Sequence, residues 1–489
     1  MSKAYSASQR GTRLRRVSPA GAFRTDCGAT FDRHLKRRPA THSHQPVSCA
    51  MNRFFTIRYL IPAVALLATT APAIASDAIP GAPQKQPIVL AGGTVFPISG
   101  PPIKNGIVVF DKGRIVSVGT ADEVEIPAAV KQIDCRGKHV YPGLFEAHSQ
   151  LGLTEVSAVR ASDDRSEVGS LNPNVKAHVS VNPDTELIPV TRANGVLLAL
   201  TKPSKGLISG QAAVLQLDGW TFEDLTLKPG AAMVVNWPSV PKQIEQGQSA
   251  TESSSVDRLR KLLDEARAYA AVRKENSDSQ PTDLRLESLQ PVLSRRVPLL
   301  VHAESLAVIQ SAVSFAVEQK LRLIIHGGYD APLCAELLTK HDVPVIVAAT
   351  YRLPRRRSDD FDSGYSLASR LHKAGVRFCI SGGSTSRTWN ARNLPYHAAV
   401  AVAYGLPYDV ALRSITLSPA EILGVARRVG SLEAGKDATL FVTTGDPLET
   451  PSNVTAAWIQ GRSVDLTSRH LQLYRKYQKK YSQLSGRAD

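Results

Sequence analysis

The chain has 489 residues, of which 43% are hydrophobic and 21% are charged. That composition supports a large hydrophobic core and excludes a wholly disordered protein. The 33 glycines and 31 prolines recur without a fixed period, which excludes collagen-like and coiled-coil chains, and five cysteines are too few for a disulfide scaffold. The length predicts roughly two to four domains, or one large barrel with attachments.

The net charge of +16 is concentrated near the N-terminus. Residues 1–75 contain twelve of the 59 Lys and Arg residues and two of the 43 acidic residues, so the rest of the chain carries a net charge of only +6. Binding to nucleic-acid phosphates needs a concentrated basic face. We therefore predict that the folded part of the chain has no nucleic-acid partner.

The N-terminal segment has the pattern of an export signal. Residues 1–50 are basic and lack apolar periodicity, which predicts a disordered arm or sequence that precedes the true start at Met51. Residues 51–75 combine a positive start, an apolar stretch and a final Ala-Ile-Ala, which predicts a cleaved signal peptide and a periplasmic or extracellular protein without membrane contact after cleavage. A transmembrane anchor is the alternative, but the stretch is shorter than the ~20 residues that span a bilayer. Pro62 and Pro72 also interrupt it.

Short β-type segments stand at both ends of the mature chain. Turn residues such as Asp111-Lys112-Gly113 separate them. This pattern predicts a small β-sandwich that residues 76–138 and 426–465 build together. The strands predicted for it cover residues 88–90, 106–110, 114–118, 438–442 and 456–459.

Between these ends, residues 139–425 alternate between short apolar runs and segments with helical periodicity. The apolar runs predict eight strands, at 140–147, 195–201, 212–217, 231–236, 297–302, 321–326, 343–348 and 376–381. Helical periodicity covers 254–274, 305–319, 331–341 and 365–374. Eight β/α repeats predict an α/β fold with a closed, parallel (β/α)8 barrel, whose functional site lies at the carboxyl ends of the strands.

Residues 466–489 form a tail that is rich in tyrosine and lysine. Their pattern predicts a helix that lies on the surface or docks a second copy, and contact with a membrane is a lesser alternative. This pattern leaves open whether the protein forms a homo-oligomer.

Three histidines end predicted strands. His148, His302 and His326 close the first, fifth and sixth runs. In a parallel barrel these positions all face the mouth, where three imidazoles can converge on one divalent metal. For each histidine taken alone, a structural role in the core is the alternative.

Two segments resemble the amidohydrolase superfamily. HVYPGLFEAHSQLGL (139–153) is similar to its first-strand signature, in which Pro-Gly precedes a strand that ends in His-x-His. ALRSITLSPAEILGVARRVGSLEAGKDATLFVTTGDPLE (411–449) is similar to the imidazolonepropionase-related branch, in which a T-x-x-P-A helix is followed by G-S-L-x-x-G-K-D-A. The resemblance covers about residues 88–465.

The resemblance implies a metal-dependent-hydrolase-type barrel that binds a divalent metal, with zinc favoured, and acts on a small molecule. The metal lowers the pKa of a bound water, which then attacks a non-peptide carbon–nitrogen bond. His148 matches the first histidine of His-x-His, His302 matches the strand-five ligand, and His326 matches the strand-six histidine. A carboxylate at the end of the last strand commonly takes the proton of the water.

The match to the family is incomplete at two positions. Gln150 stands at the second histidine of His-x-His, and a neutral amide is a poor zinc ligand. Gly383 or a neighbour stands where strand eight of the family carries an aspartate, and no Asp or Glu lies between Arg377 and Asp409.

Two hypotheses follow from this incomplete match. In the first, the site is rebuilt: the three histidines hold one ion, Glu304 acts as the catalytic base, and Gln150, Ser384 and Arg387 bind the substrate. Glu146 remains a second candidate base, because its strand parity matches that of the first histidine. In the second hypothesis the fold is kept without metal or catalysis, and the protein binds a ligand or partner. An exported dipeptidase-like enzyme is a further alternative that differs in substrate.

Overall fold

The structure is a computed structural model that describes residues 78–127, 130–238, 251–275, 281–382 and 388–484. The described residues form one compact unit. Two sheets organise the described part of this unit, one drawn from both of its ends and one from its middle. The predicted arm (1–50), the predicted signal peptide (51–75) and the two predicted substrate-binding residues Ser384 and Arg387 lie outside the described residues.

The first sheet joins strands from opposite ends of the chain. These strands are β1 (Ile88–Val95), β2 (Ile103–Asp111), β3 (Arg114–Gly119), β4 (Lys131–Asp134), β5 (His139–Pro142), β14 (Leu440–Thr443), β15 (Val454–Ile459) and β16 (Arg462–Ser463). Their order is β16-β15-β14-β5-β1-β2-β3, and β4 pairs with β1. Both predicted end segments therefore share one sheet, while the second layer that a sandwich requires stays a prediction.

One element of this sheet differs from the prediction. β5 pairs with β1 and β14, although the sequence pattern assigns residues 140–147 to a single barrel strand. Gly143 divides that run, so that residues before it join the first sheet and residues after it begin the barrel.

The second sheet forms a nearly closed eight-stranded barrel. In chain order its strands are β6 (Leu144–Ser149), β7 (Val196–Thr201), β8 (Ile208–Gln216), β9 (Thr226–Val235), β10 (Leu299–Ala303), β11 (Leu323–Gly327), β12 (Val345–Ala348) and β13 (Phe378–Ser381). Each strand pairs with its neighbour in the chain. All eight predicted strands overlap a strand of this barrel.

The direction of β8 corrects the prediction of eight parallel strands. β8 runs antiparallel to both β7 and β9, whereas the other pairs of the barrel sheet are parallel. The reason is the connection from β7, which ends at Thr201, to β8, which begins at Ile208. A parallel crossover needs about a dozen residues or more, so this short connection permits only an antiparallel return.

Helices surround the barrel and account for the helical periodicity of the sequence. They are α1 (Leu187–Arg192), α2 (Phe222–Leu225), α3 (Thr251–Glu275), α4 (Leu284–Leu293), α5 (Leu306–Glu318), α6 (Ala335–Lys340), α7 (Leu367–Lys373), α8 (Leu394–Ala403), α9 (Tyr408–Ser414), α10 (Leu417–Ile422) and α11 (Arg469–Leu484). Short 3-10 segments cover Arg160–Ser162, Ala177–Ser180, Ala331–Cys334 and Thr388–Asn393. The four helical patterns predicted within the barrel region each overlap a helix.

Burial explains why the barrel strands read as continuous apolar runs. Every position of β7, β11, β12 and β13 is buried, because helices cover the outer face of the sheet and side chains fill its interior. α5 shows the matching pattern: Ile309, Ala312, Val313 and Ala316 are buried at the spacing of one helix face. The polar side chains of interest are therefore confined to the strand ends.

Candidate active site at the barrel mouth

The carboxyl ends of β6, β10 and β11 carry the three predicted histidines. β10 and β11 pair in register with His302 opposite His326, and the Nδ1 atoms of these two rings lie 3.0 Å apart. The rings of His148 and His326 stack 5° from parallel, with centroids 3.5 Å apart. The structure thus brings all three histidines together.

The three rings differ in burial. His148 and His326 are buried, whereas His302 is exposed at the mouth. Burial lowers the pKa of His326 well below its ordinary value, and the charges of His148, His302 and Lys202 lower it further. Partial desolvation of the ring lowers the pKa of His302 as well, although its side chain is exposed at the mouth. The charge of Glu304 partly offsets this decrease. Near pH 7 the rings of His302 and His326 are therefore neutral, which leaves one acceptor nitrogen on each.

The mouth opens into a cavity of about 810 Å³. His302, Glu304 and His326 form part of its wall, and the loop after β12 and the start of α8 add Tyr351, Arg352 and Tyr396. A cavity of this size holds a small molecule.

Glu304, the predicted catalytic base, lies on the wall of this cavity. Its Oε1 accepts a hydrogen bond from Nη1 of Arg352 at 2.8 Å, and its Oε2 accepts one from the backbone N of Tyr329 at 3.0 Å. Arg355 lies 3.5 Å from Oε2. Gly327 has a φ of 104°, and a Cβ there would lie 2.8 Å from the Cδ of Glu304. Glycine therefore leaves the space in which two arginines hold the carboxylate.

Arg352 carries polar atoms that the described residues do not satisfy. Its Nη1 bonds to Glu304, but its Nε and Nη2 are buried and make no hydrogen bond among the described residues. Its guanidinium carbon lies 4.9 Å from the ring centroid of Tyr329, which fixes the plane of the group by a cation–π contact. Buried donors without a partner are rare in proteins, which makes this guanidinium a candidate ligand-binding group.

Glu146 connects the first barrel strand to the last. Its Oε1 accepts hydrogen bonds from Oγ of Ser381 and from the backbone N of His148, the second at 3.0 Å. Its Oε2 accepts one from the backbone N of Gly382 at 2.9 Å. The side chain is fully buried. These contacts tie Glu146 into the barrel wall, whereas Glu304 and Glu449 are carboxylates that line the cavity.

Gln150, predicted to bind substrate, lies one residue beyond the end of β6. The side chain is buried, and its Oε1 has no hydrogen-bond partner among the described residues. An amide oxygen in this position accepts a hydrogen bond from any donor that enters the site.

Two further titratable side chains near the mouth have no sequence-based prediction as site residues. Lys202 directly follows β7 and is buried, which lowers its pKa to about 8. His397 lies on α8, where burial lowers its pKa to about 4 and its Nδ1 accepts a hydrogen bond from the backbone N of Thr350 at 3.1 Å. The position of Lys202 immediately after a strand was a usable signal, whereas nothing near His397 in the sequence indicates its place at the cavity.

The histidines suit a divalent ion in their donor atoms but not in their ring orientations. Three imidazoles form a ligand set that zinc accepts, and the buried Nε2 of His326 has no hydrogen-bond partner among the described residues. Within that same part of the chain, however, no group of three or more His, Cys, Asp or Glu is arranged to hold a metal ion. The stacking of His148 on His326 explains this, because the lone pairs of parallel rings do not converge. One ring has to turn before all three nitrogens can face a common point.

Comparisons with known proteins relate the sequence of this chain to a known family. Residues 294–465 match the model of the amidohydrolase family. Amidohydrolase tasK of Hapsidospora irregularis is 24% identical over 388 residues, which are 73% of this chain, and the chain spans only 39% of that protein. Imidazolonepropionase of Erwinia tasmaniensis is 24% identical over 396 residues, which are 74% of this chain and 91% of the enzyme.

A solved structure extends the likeness to three dimensions. The crystal structure of an amidohydrolase from Thermotoga maritima MSB8 is 28% identical in sequence and has a TM-score of 0.68. It covers 77% of this chain and 99% of its own. The family model, the enzyme relative and the solved structure agree with the barrel fold, and residues 294–465 carry an amidohydrolase-family domain.

Proposed function

We propose that this chain is a hydrolase that cleaves a carbon–nitrogen bond other than a peptide bond in a small molecule, and that His148, His302 and His326 hold one divalent ion. The observation that carries the proposal is the meeting of three imidazoles at strand ends beside a cavity of small-molecule size. Members of the amidohydrolase family typically bind a metal such as zinc. As residues 51–75 predict, we expect the enzyme to act outside the cytoplasm.

Glu304 serves as the base in this proposal. A metal bound by the histidines would supply a Lewis acid that lowers the pKa of a water molecule. Glu304 is on the cavity wall, where its carboxylate would serve as the proton acceptor. Arg352 holds the carboxylate in one orientation through Nη1, which keeps it within the reach of a proton donor in the cavity.

Arg352 and Gln150 orient the substrate. The buried Nε and Nη2 of Arg352 donate to an acceptor on the substrate, and the buried Oε1 of Gln150 accepts from a donor on it. A cyclic amide carries both kinds of group, an oxygen acceptor and an N–H donor. This complementarity supports lactams, cyclic imides and related acyl-amino compounds as the substrate class.

The first test of the proposal is metal content, measured by elemental analysis on the full chain. We expect about one zinc, iron or manganese per chain in the wild type and none in His302→Ala, because one imidazole of three is lost. His372→Ala is the matched control, since His372 is exposed on α7. Equal metal content in the wild type and His302→Ala, or no metal in either after reconstitution, would contradict the proposed site.

The second test is hydrolysis of a panel of lactams, cyclic imides and acyl-amino compounds. We expect Glu304→Gln to lower kcat by roughly 10²- to 10⁴-fold with metal content unchanged, because the amide cannot take up a proton. Glu336→Gln removes an exposed carboxylate of α6 and should leave kcat unchanged. Undiminished turnover in Glu304→Gln would assign the base to another group.

A further inference from the structure

The C-terminal helix α11 has no buried residue. The first turn contacts the body of the protein: Nδ1 of His470 lies 2.6 Å from Nη1 of Arg392. Beyond that turn, Leu473 and Ser482 are half-buried and the other described side chains are exposed. The helix therefore presents almost its whole surface outward.

One face of α11 is aromatic and apolar. Its five large side chains follow one another at intervals of three or four residues, so at 100° per residue they lie within an arc of about 140°. Each is between 38% and 72% exposed, so none of them is buried against the described residues. They are Leu471, Tyr474, Tyr477, Tyr481 and Leu484.

The opposite face of α11 is basic. The helix contains five Lys and Arg residues and no Asp or Glu. They all fall in the arc that the apolar side chains leave open, and they are Arg469, Arg475, Lys476, Lys479 and Lys480. Nζ of Lys480 lies 5.9 Å from the ring centroids of both Tyr477 and Tyr481, at the border between the two faces.

We propose that α11 docks the protein on the surface of an anionic lipid bilayer. A helix with segregated basic and apolar faces lies in the plane of the membrane interface, with its apolar face toward the acyl chains and its cations among the headgroups. Tyrosine suits this depth, because its ring is apolar and its hydroxyl stays in contact with water. This surface is independent of the catalytic proposal and replaces the sequence-based expectation of no membrane contact after signal cleavage.

The charge pattern favours lipid over the other occupants. A second copy of α11 would bring another five positive charges against this one, which repel at short distance. Nucleic acid would bind the basic face but leaves the tyrosine face exposed to water. No helix among the described residues is long and apolar enough to cross a membrane, so α11 would lie on the bilayer rather than span it.

The test is co-flotation of the full chain with lipid vesicles. We expect binding to phosphatidylcholine vesicles that contain phosphatidylglycerol, no binding to pure phosphatidylcholine vesicles, and release by high salt. Lys476→Glu/Lys479→Glu and Tyr474→Ser/Tyr477→Ser should each lower the bound fraction at least tenfold. Lys104→Glu/Lys340→Glu, which makes the same charge change at exposed lysines elsewhere, should bind as the wild type does.

A second readout keeps the test independent of a folding defect. Tyr477→Trp should show a blue shift of the added tryptophan emission with the phosphatidylglycerol vesicles only. Absence of flotation and of this shift would overturn the proposal. So would binding that both α11 variants retain, or sedimentation that shows a wild-type dimer and a monomer for Tyr474→Ser/Tyr477→Ser, because the occupant would then be a second copy.

Discussion

Two buried polar regions of the molecule differ in whether a buried charged side chain has a partner of opposite charge. At the junction between the first sheet and the barrel, Nη1 of Arg192 lies 3.0 Å from Oδ1 of Asp218, and both side chains are almost inaccessible to solvent. Gly81 donates its backbone N–H to the same carboxylate, and Arg462 donates to the backbone O of Asp218. At the barrel mouth, Lys202 is just as buried but has no acidic partner among the described residues.

This difference distinguishes a region whose paired charges stabilise the fold from a region whose polar groups are available to a ligand. In the junction, burial raises the pKa of Asp218, and the charge of Arg192 offsets part of that increase. Each charge there has a counterion, although Nη2 of Arg192 makes no hydrogen bond among the described residues. The mouth keeps unsatisfied atoms on Arg352, Gln150 and His326 among the described residues. Unpaired buried polar groups lower stability and persist where a ligand completes them.

Breaking the junction pair should produce the largest loss of stability. Asp218→Asn leaves the Arg192 guanidinium buried without its counterion, which costs about 3–5 kcal/mol of the free energy of unfolding. Asp342→Asn is the matched control, because the Asp342–Arg377 pair is exposed and is worth about 0–1 kcal/mol. Chemical denaturation measures both. A loss for Asp218→Asn no larger than that of the control would show that the junction does not depend on this pair.

The opposite sign is expected at the mouth. Lys202→Met removes an ammonium that burial penalises, so the variant should be more stable than the wild type at pH 7, by up to about 3 kcal/mol. Because the folded-state pKa of Lys202 is lowered from 10.5 to about 8, the unfolded chain binds more protons between these values. The free energy of unfolding of the wild type therefore rises as the pH rises from 8 to 10.5, and it approaches that of the variant. Denaturation at several pH values tests this; a Lys202→Met that is less stable at pH 7 would mean the ammonium is compensated.

The same contrast marks how far the sequence could predict the molecule. The eight barrel strands and the histidines that end three of them were predicted, because burial on both faces gives apolar runs and strand ends meet at one edge. Arg352 is not among the predicted site residues, although it follows β12 closely. Its role depends on contacts with Glu304 and Tyr329, which no local sequence pattern indicates. The stacking of His148 on His326 depends on side-chain rotation, which strand periodicity does not determine.

The direction of β8 was also missed. Apolar periodicity is identical for parallel and antiparallel strands, and the predicted strand starts only at residue 212, so the predicted connection is longer than the real one. Ile208 begins the strand instead, and only the short connection from Thr201 reveals the reversal.

The smallest effect is expected where the barrel closes, because there the loss of one hydrogen-bond partner leaves no charged group unpaired. The oxygens of Glu146 accept from two backbone N–H groups, those of His148 and Gly382, and from Oγ of Ser381. In Glu146→Gln the amide NH₂ has to face one of the two backbone N–H groups, whichever way it is oriented. One buried donor then loses its partner, at about 1–3 kcal/mol. Glu287→Gln, at an exposed position of α4, should change stability by less than about 0.5 kcal/mol. If the two variants unfold at the same denaturant concentration, this carboxylate does not stabilise the contact between β13 and β6. The polar contacts at the mouth would then contribute less to stability than those at the junction.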